Sequence, residues 1–112
     1  LQKGEYQKAI DYLSKFSPKD MLMKYQAKAL IGDAYAELNQ LDKAISAYKE
    51  AAKADNDITT PFVLLKMGQI YEMQQKNKEA LECYKSIKKN YPNSMEFREV
   101  EKYISRMEAL MQ

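Results

Sequence analysis

The stretch LIGDAYAELNQLDKAISAY at residues 30–48 is restated, with changes, as KMGQIYEMQQKNKEALECY at residues 66–84. Gly32 falls on Gly68, Tyr35 on Tyr71, Ala44 on Ala80 and Tyr48 on Tyr84, each pair 36 residues apart. Matches in Gly, Ala and Tyr at one fixed interval mark an internal repeat, and a period of this size is the signature of stacked supersecondary units. A weaker copy lies upstream, where GEYQKAIDYLSKF (4–16) matches NQLDKAISAYKEA (39–51), with Ala9 on Ala44 and Leu13 on Tyr48. That copy holds only the second half of the unit, so the expectation is a repeat whose first helix is missing.

Each full unit splits into two helical patterns. Leu22, Tyr25, Ala29, Gly32 and Ala36 recur at spacings of 3 and 4, the mark of one helix face. Leu30, Ile31, Ala34, Tyr35 and Leu38 widen that face until the helix must be contacted on two sides. Phe62, Leu64, Leu65, Met67, Ile70, Tyr71 and Met73 do the same in the second copy. The partner helices carry narrower stripes: Leu41, Ala44, Ile45, Tyr48, Ala51 and Ala52, then Ala80, Leu81, Tyr84 and Ile87. A last stripe runs through Phe97, Val100, Ile104, Met107 and Met111.

The punctuation agrees with these limits. Ser17-Pro18 and Thr60-Pro61 each set a hydroxyl before a proline at an expected helix start. Asn39-Gln40 and Gln75-Lys76-Asn77 read as tight turns between antiparallel helices. ADNDITT (54–60) and NYPNS (90–94) close the two units. Six helices are predicted, at 4–16, 18–38, 41–54, 61–75, 78–90 and 94–110, with no strand. The fold class is all-α, an α-solenoid of antiparallel helix pairs: a half repeat at 4–16, full repeats at 18–56 and 57–92, and a C-terminal capping helix at 94–111. Glu96, Arg98, Glu99, Glu101, Lys102, Ser105 and Arg106 make the polar outer face of that cap.

The chain has 112 residues, 18 basic against 16 acidic side chains and a formal charge of +2. That balance offers no clustered basic footprint, so nucleic acid is not an expected partner. No apolar run reaches the ~20 residues needed to span a bilayer, so no membrane contact is expected of the chain itself. There is no histidine, which removes the commonest general base and metal ligand. Cys83 has no imidazole to activate it and reads as a packing residue. The carboxylates Asp33, Glu37, Glu72 and Glu79 are scattered along helix faces among lysines. The lysines of CYKSIKK (83–89) read as a solvated face. No phosphate-cradling glycine loop is present. Neither catalytic residue, metal nor cofactor is predicted, and the chain reads as non-enzymatic. Met67, Met73 and Met107 sit at helical spacing as core filler, with an adaptable binding surface the second reading for Met73.

The repeated residues resemble the tetratricopeptide repeat family, a pair of antiparallel helices of about 34 residues. The family pattern is met by Ile31-Gly32, Tyr35, Ala44, Tyr48 and Ala51, then by Met67-Gly68, Tyr71, Ala80, Tyr84, Ile87 and Pro92. In that pattern Gly and Ala let helices approach closely and tyrosines fill the spaces between them. The chain departs from it at Lys28 and Leu64, where a large aromatic is usual, and at Asn56, where the first full copy lacks the terminal proline. A narrower resemblance links LNQLDKA (38–44), AAKADN (51–56) and ALECYKSIKKNYPNS (80–94) to membrane-anchored repeat proteins of Bacteroidetes. Those are similar to ancillary translocon subunits with periplasmic repeats. This would place the chain in the periplasmic part of an anchored protein.

The wider resemblance implies a protein or peptide partner held in a concave groove lined by the first helix of each unit. The family's groove positions map to Gln26, Ala29, Asp33 and Ala36-Glu37, then to Phe62, Leu65, Gln69 and Glu72-Met73. Some members clamp a C-terminal carboxylate with Lys and Asn; Ala29, Leu65, Asp33 and Gln69 stand at those positions here, and Asp33 would repel such a tail. Apolar Phe62, Leu65 and Met73 with acidic rims suit a short helix or extended peptide of basic character. The alternative is a structural or self-association segment of a larger envelope protein. In that reading Ile10, Leu13 and Phe16 leave an apolar face at the N-terminal end, through which a homodimer forms.

Overall fold

A computed structural model of the chain describes residues 2–15 and 20–112. It contains α1 (Lys3–Lys15), α2 (Met21–Glu37), α3 (Leu41–Ala52), α4 (Thr59–Met73), α5 (Asn77–Asn90) and α6 (Phe97–Leu110). Among the described residues there is no strand. All six expected helices are present, with no end shifted by more than three residues. The chain divides into two compact units. One ends at Ala54 and holds α1–α3; the other begins at Asp55 and holds α4–α6.

In the first unit α2 packs on both α1 and α3, which is why its apolar residues surround the helix instead of forming one stripe. Ile10, Ile31, Ala34 and Ala47 form a buried cluster, with Tyr6, Leu13, Tyr35 and Leu38 half-buried against it. Of the residues expected to leave an apolar N-terminal face, Ile10 is only 2% exposed and Leu13 is half-buried beside it. The sequence shows that these residues are apolar but not which way α1 rolls onto α2. Phe16 and the Ser17-Pro18 start signal lie outside the described residues. The start of α2 is capped by Asp20, whose carboxylate accepts the Leu22 N–H at 2.8 Å.

In the second unit α5 packs against both α4 and α6. Ala80, Tyr84 and Ile87 of α5 meet Val100, Ile104 and Met107 of α6, with Leu64, Leu65, Tyr71, Leu81 and Tyr103 partly buried around them. The Thr60-Pro61 start signal is displaced. α4 begins at Thr59, and Asn56 is the residue that caps it, its side-chain oxygen accepting from the N–H groups of Ile58 (2.9 Å) and Thr59 (2.6 Å). Thr60 returns a contact by accepting the Asn56 N–H. Pro61 then sits in the first turn, where its missing donor leaves no intrahelical bond unmade.

The turns within the repeats are alike. Asn39 and Gln75, 36 residues apart, both adopt the left-handed conformation with φ of 59° and 60°. Gln40 N–H bonds to Tyr35 C=O and Asn39 N–H to Ala36 C=O; Lys76 and Gln75 repeat this with Tyr71 and Glu72. These are Schellman motifs without the usual glycine. After α5, the Ser94 hydroxyl donates to Tyr91 C=O and accepts the Phe97 N–H, so α6 starts at Phe97, the first residue of the apolar stripe and three residues after the expected start at 94.

Candidate functional site

The shared glycines and tyrosines prove to be paired with each other. A Cβ placed on Gly32 would stand 2.6 Å from the Tyr48 ring, and one on Gly68 would intrude on the Tyr84 ring in the same way, 2.8 Å from Cζ. Each ring lies flat against the backbone of the first helix where a side chain is missing. Tyr48 is 1% and Tyr84 0% exposed. So these residues form the frame, and they are buried too deeply to meet a partner.

A buried phenol needs an acceptor, and the two copies meet that need differently. Tyr48 donates its hydroxyl to Asp33 at 2.5 Å; Tyr84 donates to Glu72. Asp33 aligns with Gln69, and Glu72 with Ala36, so the acceptor has moved one helical turn between copies. Burial, with the carboxylate accepting the proton, pushes both phenols well above the ordinary tyrosine range. Tyr71 and Tyr91 are raised too, by burial first. Tyr91 also donates to Asp55 at 2.6 Å.

Glu72 has a second attachment. Its Oε1 accepts from Arg106 Nη2 at 2.6 Å while Oε2 takes the Tyr84 hydroxyl. The Arg106 guanidinium lies 5.2 Å from the Tyr103 ring centre, and that ring is 5.3 Å from the ring of Tyr84. One carboxylate thus ties together α4, α5 and α6. On the other side of α5, Lys85 pairs with Glu108 at 3.9 Å and Lys88 with Glu101. The lysine face is solvated as expected, but two of its charges are matched by α6.

The predicted binding residues separate into three groups. Ala29 is buried at 7%, and Leu65 is half-buried against the α5–α6 cluster. Asp33 is half-buried and holds Tyr48. Gln26 and Glu37 are exposed on α2; Phe62, Gln69 and Met73 are exposed on α4. Of the three methionines read as filler, Met67 and Met107 are buried, whereas Met73 is 68% exposed. On α4 the residues 62, 66, 69 and 73 follow the 3–4 spacing of one face, giving a strip on which Phe62, Gln69 and Met73 are exposed and Lys66 is half-buried. Lys66, which the sequence reading passed over, holds its ammonium 5.4 Å from the centre of the Phe62 ring. Its position four residues after Phe62 was the available signal.

Two family models, each described as tetratricopeptide repeat, match residues 25–58 and 62–94. Together they span more than half of the chain. The chain belongs to the tetratricopeptide repeat family. Repeats of this family generally mediate protein–protein interactions and typically serve as non-enzymatic scaffolds. No curated protein and no solved structure matches the chain. Among the described residues no helix is long and apolar enough to cross a membrane, and no group of three or more Cys, Asp or Glu side chains is arranged to hold a metal ion.

Proposed function

We propose that this tetratricopeptide protein is a binding module whose ligand, a peptide or helix of another protein, lies along the exposed face of α4. One observation carries the reading: Phe62 and Met73 remain open to solvent on a helix whose Val63, Met67 and Ile70 are buried and whose Leu64, Leu65 and Tyr71 are half-buried. Exposed apolar side chains in line on a rigid helix provide the anchors that a partner's own apolar face can cover. A photo-crosslinking residue at Gln69, introduced in the source cells, should capture a protein partner. The same residue at Glu50 on α3 should not, and Phe62→Ala should abolish the capture. Capture that survives Phe62→Ala rules out α4 as the docking face.

Self-association is the second reading, favoured by a different surface from the one first expected. Met21, Leu22 and Met23 open α2 with 46–57% exposure, and Tyr12 of α1 is 70% exposed. Sedimentation at rising concentration tests it: a dimer that Leu22→Glu disperses supports this reading, and a monomer throughout removes it.

A further inference from the structure

The chemistry of the ligand can be carried further, on the premise that α4 is the docking face. The only charged residues of α4 are Lys66 and Glu72. Both oxygens of Glu72 are engaged, by Arg106 and by Tyr84. Its charge is matched inside the fold and its side chain is 19% exposed. Among the described residues no carboxylate pairs with Lys66. Its ammonium lies beside the Phe62 ring instead. The strip therefore presents two apolar anchors, one amide and one unmatched positive charge. This reverses the sign expected from sequence, where Glu72 counted as part of an acidic rim.

Geometry narrows the ligand's backbone as well. Phe62 and Met73 are eleven residues apart, which is about 16 Å along a helix at ~1.5 Å per residue. That is about three turns of a facing helix or about five residues of extended chain. An extended peptide would set its backbone donors and acceptors against a strip with only two polar side chains, Lys66 and Gln69, of which Gln69 alone can accept. A helix satisfies those groups internally and presents only side chains.

We propose that α4 receives an amphipathic helix of another protein, its apolar side chains covering Phe62 and Met73 and one of its carboxylates seated on Lys66. Selection from a displayed library of random peptides of about 15 residues against the purified chain tests this. Enriched peptides should carry apolar residues at one-turn spacing with Asp or Glu beside them. Against the best of these, Phe62→Ala should weaken binding about tenfold or more. Lys66→Glu should weaken it about three- to tenfold and shift the preference toward a peptide with Lys in place of the acid. Circular dichroism checks that both variants keep their helices.

Peptides without acids, or binding indifferent to Lys66→Glu while still lost in Phe62→Ala, overturn the carboxylate inference and leave α4 as the docking face. Peptides indifferent to Phe62→Ala, or no enrichment at all, overturn both. Self-association of the chain that Phe62→Ala abolishes makes a second copy the occupant and overturns the proposal of a foreign helix.

Discussion

Adding one methyl group to Gly68 should destabilise the second unit, although alanine is the better helix former. Helix propensity alone predicts a gain of about 1 kcal/mol for Gly68→Ala. The new Cβ, however, would stand within 2.8 Å of Tyr84 Cζ and 3.0 Å of Cδ1, against a comfortable carbon–carbon separation of about 3.5–4.0 Å. The ring has to retreat by about 1 Å, and it has nowhere to go. It is 0% exposed, packed among Ala80, Ile87, Val100, Ile104 and Met107, and its hydroxyl is held by Glu72. Overpacking of this kind costs about 1–3 kcal/mol, which set against the propensity gain leaves a net loss of up to about 2 kcal/mol. Gly4→Ala is the control, because nothing lies within 4 Å of a Cβ there and only the propensity gain remains. Urea unfolding followed by circular dichroism should lower the midpoint for Gly68→Ala and hold or raise it for Gly4→Ala. In a Tyr84→Leu background the Gly68→Ala penalty should shrink, the coupling expected of two groups in contact. A Gly68→Ala protein as stable as its parent would falsify the packing of ring on glycine as the reason for the repeated Gly and Tyr.

Three other outcomes follow from the same geometry. Tyr48, Tyr71, Tyr84 and Tyr91 are all raised above the ordinary tyrosine pKa of about 10 in the fold, by burial first. The folded state thus holds their protons more tightly than the unfolded chain. The stability they contribute is complete below pH ~10 and is lost above it, at about 1.4 kcal/mol per pH unit for each phenol. Tyrosinate absorbance from these four should therefore rise together with alkaline unfolding, and their ionisation in a chain that stays helical would contradict the burial argument. Gln75 holds φ at 60° without being glycine, so Gln75→Gly should stabilise by about 0.5–1 kcal/mol in thermal unfolding, whereas Gln75→Val should lose stability. Asn56→Ala removes the acceptor for two backbone N–H groups at the start of α4 and should cost about 1 kcal/mol, with Asn56→Ser recovering most of it.

The exposure of the candidate residues was legible in the sequence only in part. Phe62, Gln69 and Met73, expected at groove positions, are exposed on α4; Ala29 and Leu65, at equivalent places in the pattern, are drawn into packing. Asp33 and Glu72 were read as groove carboxylates, but their first engagement is with buried phenols 15 and 12 residues further along the chain. Lys66 went unnoticed because a lysine on a helix is ordinary surface until its neighbours are known to carry no opposite charge.

The sequence by itself determined the period, the number of helices and the residues that repeat. Those features depend on spacings of three, four and 36 along the chain, and linear spacing is what a sequence records. Only the tertiary structure decided which carboxylate answers each tyrosine, that Ile10 turns inward and that Met73 turns outward. Such choices depend on distances between helices and on the roll of each helix about its own axis. A rotation of one residue step, about 100°, exchanges a buried face for an exposed one. The apolar pattern of α2 and α4, spread around most of the helix, leaves that rotation open until a neighbouring helix has packed against it.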